Sequence, residues 1–142
     1  MPLVVGAILA VAVGLMGTGV GLDRDRSFYP TITIVVASYY VLFAVMGAPT
    51  QTLVLETLIG VAFVLAALIG FRSSLWLVAG ALAAHGLFDL VHDRVISNTG
   101  MPVVWPPFCF AYDVVAAGYL AWLLKRGHVP GRPKAELPHQ AG

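Results

Sequence analysis

The first 22 residues carry no charged side chain, and the 45 residues from Ser27 to Phe71 carry one, Glu56. Runs of this kind constrain the chain more than any motif in it, because a helix that crosses a bilayer needs about 20 mostly apolar residues. The second run is too long for one such helix. At 1.5 Å per residue it would extend about 67 Å, over twice the hydrocarbon thickness of about 30 Å. It must fold back, and Gly47-Ala48-Pro49-Thr50 is the place, since proline breaks a helix and restrains the residue before it.

Composition agrees. Charged residues make up 11% and apolar types 59% of the 142, against about 25% and 45–50% in ordinary soluble domains. Eight basic and seven acidic side chains cannot coat a globule of this size, and disorder needs low hydrophobicity instead. The net charge of +1 gives no field for nucleic acid, so none is expected as a partner. The single cysteine, Cys109, excludes an internal disulfide and a zinc-thiolate motif, and reads by itself as a small buried hydrophobe.

The segmentation predicts an all-α integral membrane bundle of about five spans, over 3–22, 30–46, 51–70, 74–96 and 108–124. Residues 1–126 then form one transmembrane domain, and the Pro/Gly-rich 127–142 a flexible cytoplasmic tail. Asp23-Arg24-Asp25-Arg26 reads as a salt-bridged turn after the first span, Pro30 as the first residue of its helix and Ser74 as an N-cap. Ser97-Asn98-Thr99-Gly100-Met101-Pro102 is a dense turn signal. A strand reading fails for want of period-2 alternation. Residues 1–20 lack the basic n-region of a cleaved signal and are expected to stay.

Five spans put the termini on opposite sides. Arg24, Arg26, Arg72, Lys125, Arg126, Arg132 and Lys134 fall on one side and Arg94 alone on the other. The positive-inside rule makes the first side cytoplasmic and the N-terminus external.

Glu56, Asp89, Asp93, Asp113, His85 and His92 lie within the expected spans. Charges there cost about 2.5–3.5 kcal/mol each on insertion scales and are rare without a purpose. Counted from the outer ends of the spans, Glu56 and Asp113 are each about 8 Å deep, and His92, Asp89 and His85 about 6, 10 and 16 Å. His85, Asp89 and His92 project within about 60° of one another on a helix wheel, and Gly86 would let a neighbouring helix approach. The expectation is a polar pocket opening outward between the third, fourth and fifth helices.

Three uses of this pocket follow. His85-x3-Asp89, or Asp89-x2-His92, can share a metal ion, with Glu56 or Asp113 completing the shell, and zinc, iron or manganese suits such ligands. In that case His85, Asp89, His92 and Asp113 are the candidate catalytic groups and the chemistry is metal-assisted. A proton or ion pathway is the second use, but the inner halves of the helices offer only Ser38, Tyr39 and Tyr40 near mid-depth. The third is interhelical hydrogen bonding without chemistry, with Asp89 or Asp93 paired to Arg94, or a small-ligand or lipid-headgroup pocket, in a non-enzymatic binding protein or membrane subunit. The small-residue faces Gly17-x3-Gly21 and Gly80-x3-Ala84 would suit close helix packing, self-association or service in a membrane complex.

Two stretches resemble a family of small, uncharacterised (hypothetical) bacterial polytopic inner-membrane proteins. They are 23–31, Asp23-Arg24-Asp25-Arg26-Ser27-Phe28-Tyr29-Pro30-Thr31, and the block from His85-Gly86-Leu87-Phe88-Asp89 through Trp105-Pro106-Pro107-Phe108-Cys109 to Tyr112-Asp113-Val114. The resemblance covers most of 22–124. It implies a bacterial inner-membrane protein and no particular activity. The ceramidase-like membrane hydrolases, with three histidines, a serine and an aspartate on seven spans, are a poor match to two intramembrane histidines on about five.

Overall fold

A computed structural model describes residues 1–132. The chain is all-helical, with no strand among the described residues. Its elements are α1 (Pro2–Val20), α2 (Phe28–Gly47), α3 (Thr50–Arg72), α4 (Leu75–Asp89), α5 (His92–Val95) and α6 (Trp105–Lys125). Four of them, α1, α2, α3 and α6, are long and apolar enough to cross a membrane. Outside their packed stripes α1 and α3 expose Leu, Val and Ile, as on Val4, Ile8, Leu15, Leu58, Val61 and Leu65. A helix that is apolar on every face has no water-facing side, so a nonpolar surrounding suits both.

Two helix ends follow the local chemistry read from the sequence, whereas α2 starts at Phe28, two residues before the expected Pro30. Gly47-Ala48-Pro49 joins α2 to α3, and the Ser74 hydroxyl accepts from the Trp76 amide to cap α4. The fourth expected span, 74–96, is divided. After Asp89 the amides of Leu90 and Val91 bond three residues back, to Leu87 and Phe88, and the helix tightens before the single turn α5. The side chains on either side of this break have different partners, Asp89 on α2 and His92 on α3. The last long helix begins at Trp105, three residues earlier than the sequence suggested.

α6 is the central helix, packed along both α1 and α4, while α3 bridges α2 and α4. The main apolar core lies along α4 and α6 around Leu75, Val78, Leu82, Leu120 and Leu123. Gly86 decides how closely these two helices approach. A Cβ there would sit 3.1 Å from the Asp113 Cβ and 3.2 Å from the Phe110 carbonyl oxygen. Gly17 faces the Phe28 ring, whereas Gly80 has no neighbour close enough to touch an added methyl group.

Two expectations are corrected at the end of the bundle that holds the 21–27 loop. Asp23-Arg24-Asp25-Arg26 is not a salt-bridged turn. Asp23 is fully buried and accepts from the Thr18 hydroxyl at 2.7 Å. Arg26, with φ 73°, turns inward and donates to the carbonyl oxygens of Phe71 (2.7 Å), Gly70 (3.4 Å) and Pro130 (2.6 Å). It thereby satisfies the free carbonyls at the end of α3. Burial lowers the Arg26 pKa from its usual value. The start of the expected flexible tail is also fixed. Val129 is 1% exposed, and the Gly131 carbonyl accepts from the Leu75 amide at 2.9 Å. An apolar side chain and a free carbonyl find partners there, so 127–132 docks. Residues 133–142 of that tail, with His139, lie outside the described residues.

Candidate metal centre

Five of the six ionisable residues singled out in the sequence do come inside the bundle, but as two clusters, while Asp93 stays exposed. His85, Asp89, Glu56, His92 and Asp113 are each at most 3% exposed, so they form no open outward pocket.

The first cluster joins α4 to α6. His85 Nδ1 donates to Asp113 Oδ2 at 2.6 Å and lies 3.9 Å from Asp89 Oδ2, one turn along its own helix. Asp89 Oδ1 accepts from the Tyr40 hydroxyl of α2 at 2.6 Å. Cys109 Sγ lies 3.7 Å from Asp113 Oδ2. His85, Asp89, Cys109 and Asp113 each offer one donor atom, and these four atoms lie within 4.8 Å of one another. Two carboxylate oxygens, Asp89 Oδ2 and Asp113 Oδ1, are buried without a hydrogen-bond partner. An unmatched oxygen of this kind is costly in a nonpolar interior.

The second cluster joins α3 to α5 and the following loop. His92 Nε2 donates to Glu56 Oε1 at 2.9 Å, and Asn98 Nδ2 donates to the same oxygen at 2.9 Å and to the Tyr40 carbonyl at 3.1 Å. Asn98 is held there because its loop lies directly on the end of α2. Thr99 Oγ1 donates to the Gly47 carbonyl at 2.6 Å, and a Cβ on Gly100 would collide with the Phe43 carbonyl. Asp93 lies 3.5 Å from His92 Nδ1 and is exposed at its side chain. No pairing of Arg94 with Asp89 or Asp93 exists among the described residues, contrary to one expectation.

Tyr40 stands between the clusters. Its ring is 4.3 Å from that of His92 and 5.8 Å from that of His85, centroid to centroid, and Phe63 meets His85 edge-on at 4.8 Å. Comparisons with family models, with curated proteins and with solved structures found no match.

The expected helix triplet contributes unevenly. His85, Asp89 and Asp113 meet, whereas Glu56 and His92 pair with each other. Because α6 starts at Trp105, Asp113 is eight residues down the helix, about 12 Å at 1.5 Å per residue, and so reaches the level of His85. Three participants were missed or read otherwise. Cys109 repeats on α6 the four-residue spacing of His85 and Asp89 on α4, and that repeat is the signal that identifies it. Tyr40 and Asn98 stand in no spacing relation to the histidines that could have pointed to them.

Chemically, one imidazole, one thiol and two carboxylates make an N/S/O donor set. Such a set suits a borderline-soft divalent ion, zinc above all, more than the oxygen-loving manganese. Binding would require loss of the Cys109 thiol proton and of the proton between His85 and Asp113, since metal ligands act deprotonated.

Proposed function

We propose that this chain is a multi-pass protein of the bacterial inner membrane that binds one divalent metal ion, best matched by zinc, through His85, Asp89, Cys109 and Asp113. The observation that carries the reading is the four-donor group on α4 and α6 with two unpartnered buried carboxylate oxygens inside it. With all four positions supplied by protein, the donor set is of the closed kind that holds an ion. The role is accordingly metal binding that ties α4 to α6, and not metal-assisted hydrolysis. The seven-to-one distribution of basic residues supports an external N-terminus and a cytoplasmic C-terminus. Glu56 and His92 stand outside the centre and serve as interhelical hydrogen bonding, because Asn98 completes their network.

Elemental analysis of the purified protein tests this directly. One equivalent of zinc is expected per chain, lost in His85→Ala and retained in Glu56→Gln. Cobalt substitution should add a near-ultraviolet thiolate-to-metal band that Cys109→Ser abolishes. A wild-type protein that retains no stoichiometric metal under zinc supplementation would refute the assignment.

A further inference from the structure

α2 packs along α3 and touches α4, but it does not pack closely on α1 or α6, and the gap among these three helices is a groove of about 410 Å³. Its floor includes Val36 and Cys109, its rim Leu9 and Val35, and its ends Phe28 and Trp105. The floor residues are buried, and the rim residues are 43% and 45% exposed.

Both ends are shut. At one, the Phe28 ring lies against Gly17 of α1. At the other, the Trp105 ring meets that of Tyr39 with centroids 4.8 Å apart, and Phe108 backs it at 5.2 Å. Between them the exposed rim of Leu9, Thr31 and Val35 opens sideways, between helices that are apolar enough to cross a membrane.

Its dimensions and lining select the occupant. From Phe28 to Tyr39 it follows α2 for about 16 Å at 1.5 Å per residue, half the hydrocarbon thickness of about 30 Å and so the depth of one leaflet. No charged side chain lines it, so nothing in it would neutralise a headgroup. A cavity this apolar also disfavours water. Another helix, about 10 Å across, would need roughly three times the volume over that length. The volume instead falls in the range of about 300–1,000 Å³ usual for small-ligand sites.

We propose that this groove binds one acyl chain of a bilayer phospholipid, which enters sideways between α1 and α2 and lies against Cys109 while its headgroup stays outside. This inference does not depend on a metal at the neighbouring centre.

The chain contains three tryptophans, and Trp105 alone lines the groove. In a protein carrying Trp76→Phe and Trp122→Phe, Trp105 becomes the only indole. Reconstituted in phosphatidylcholine vesicles brominated at mid-chain, its emission should fall at least twofold relative to vesicles without bromine. Ile32→Phe with Val36→Phe fills the groove and should restore most of the emission. Val35→Phe, at the exposed rim, narrows the mouth without altering the core and should restore part of it. Val61→Phe, on α3 away from the groove, should leave quenching unchanged. Equal quenching with and without the Val35→Phe rim substitution would mean that Trp105 senses only surrounding lipid, and it would overturn the proposal. So would the absence of quenching in the unfilled protein. Native mass spectrometry of the unmodified chain, released from lipid nanodiscs, should show one retained phospholipid, and finding none would likewise overturn it. Metal content measured on the same samples separates these outcomes from failure of the metal reading.

Discussion

The two buried clusters are built from the same parts, a histidine donating to a carboxylate across two helices, yet they differ in completeness. Around Glu56 one oxygen receives both His92 and Asn98, and Asn98 also reaches the Tyr40 carbonyl. Around His85 two carboxylates share one imidazole, and one oxygen of each has no partner. A buried ion pair that loses one member costs about 3–5 kcal/mol, because the other charge is left uncompensated. A carboxylate that already lacks partners has little to lose by neutralisation. On the proposed reading the complete cluster holds the fold, and the incomplete one has donor atoms left for a cation.

That contrast can be broken by substitution, and the largest effect is expected at the complete cluster. Glu56→Ala should lower stability in detergent by about 3–5 kcal/mol, through a stranded His92 and Asn98, with metal content unchanged in the fraction that folds. Thermal unfolding with parallel elemental analysis reads both quantities. If Glu56→Ala instead removed the metal, the separation of the clusters would be wrong.

Arg26 sharpens the comparison from outside, as a charge with every partner supplied by backbone. Arg26→Met removes three bonds to carbonyl oxygens, each worth about 1.5–3 kcal/mol, together with the desolvation cost of the buried guanidinium, so the net loss should be about 3 kcal/mol. Urea denaturation or a thermal midpoint measures it, with no loss of metal expected.

Gly86→Val acts on the first cluster by geometry alone. Its side chain would push against Asp113 and the Phe110 carbonyl, separate α4 from α6, and cost about 1–3 kcal/mol as overpacking does. Zinc should be lost with it. Asp89→Asn should be the informative opposite. It removes a charge that lacks a full set of partners, so apo stability should stay within about 1 kcal/mol, while metal affinity falls at least 10–100-fold. Competition with a chelator measures the second quantity, and a large loss of apo stability would show that Asp89 is structural.

The smallest effect belongs to the exposed loop. The Ser27 hydroxyl and amide donate to Asp25 Oδ1 at 2.8 and 3.0 Å and hold its carboxyl below the usual carboxylate range. A depressed folded pKa contributes stability that is present above the unfolded value of about 3.9 and lost as pH falls through the folded one. At so exposed a group, Asp25→Ala should cost well under about 1 kcal/mol at neutral pH, and less at pH 2. Unfolding midpoints at the two pH values check the sign.

Much of the fold was legible because the bilayer-length runs and their breakers are written in composition. The Gly47-Ala48-Pro49 link, the Ser74 cap and the segmentation into long apolar helices needed only hydropathy and helix chemistry. The break after Asp89 was not legible, since it follows from the separate partners of Asp89 and His92 and no local breaker marks it. Arg26 was misread for a related reason. Basic loop residues usually stay in water, and only the assembled bundle shows three carbonyls converging on this one. At the centre, depth and helix-wheel reasoning brought His85, Asp89 and Asp113 near one another, and the early start of α6 set their true level. Cys109 went unread because a lone thiol in an apolar helix is ordinarily packing, and only the facing pair of carboxylates gives it another use.

The segment after α6 has a consequence for how the molecule is made. Val129 fills the core beside Leu75, and the Pro130 and Gly131 carbonyls receive Arg26 and the first amide of α4. These residues are synthesised after α1 to α6. The loop after α1 and the start of α4 therefore gain these partners only once 129–131 have followed α6 out of the ribosome. Until then a nascent chain holds an unclasped Arg26.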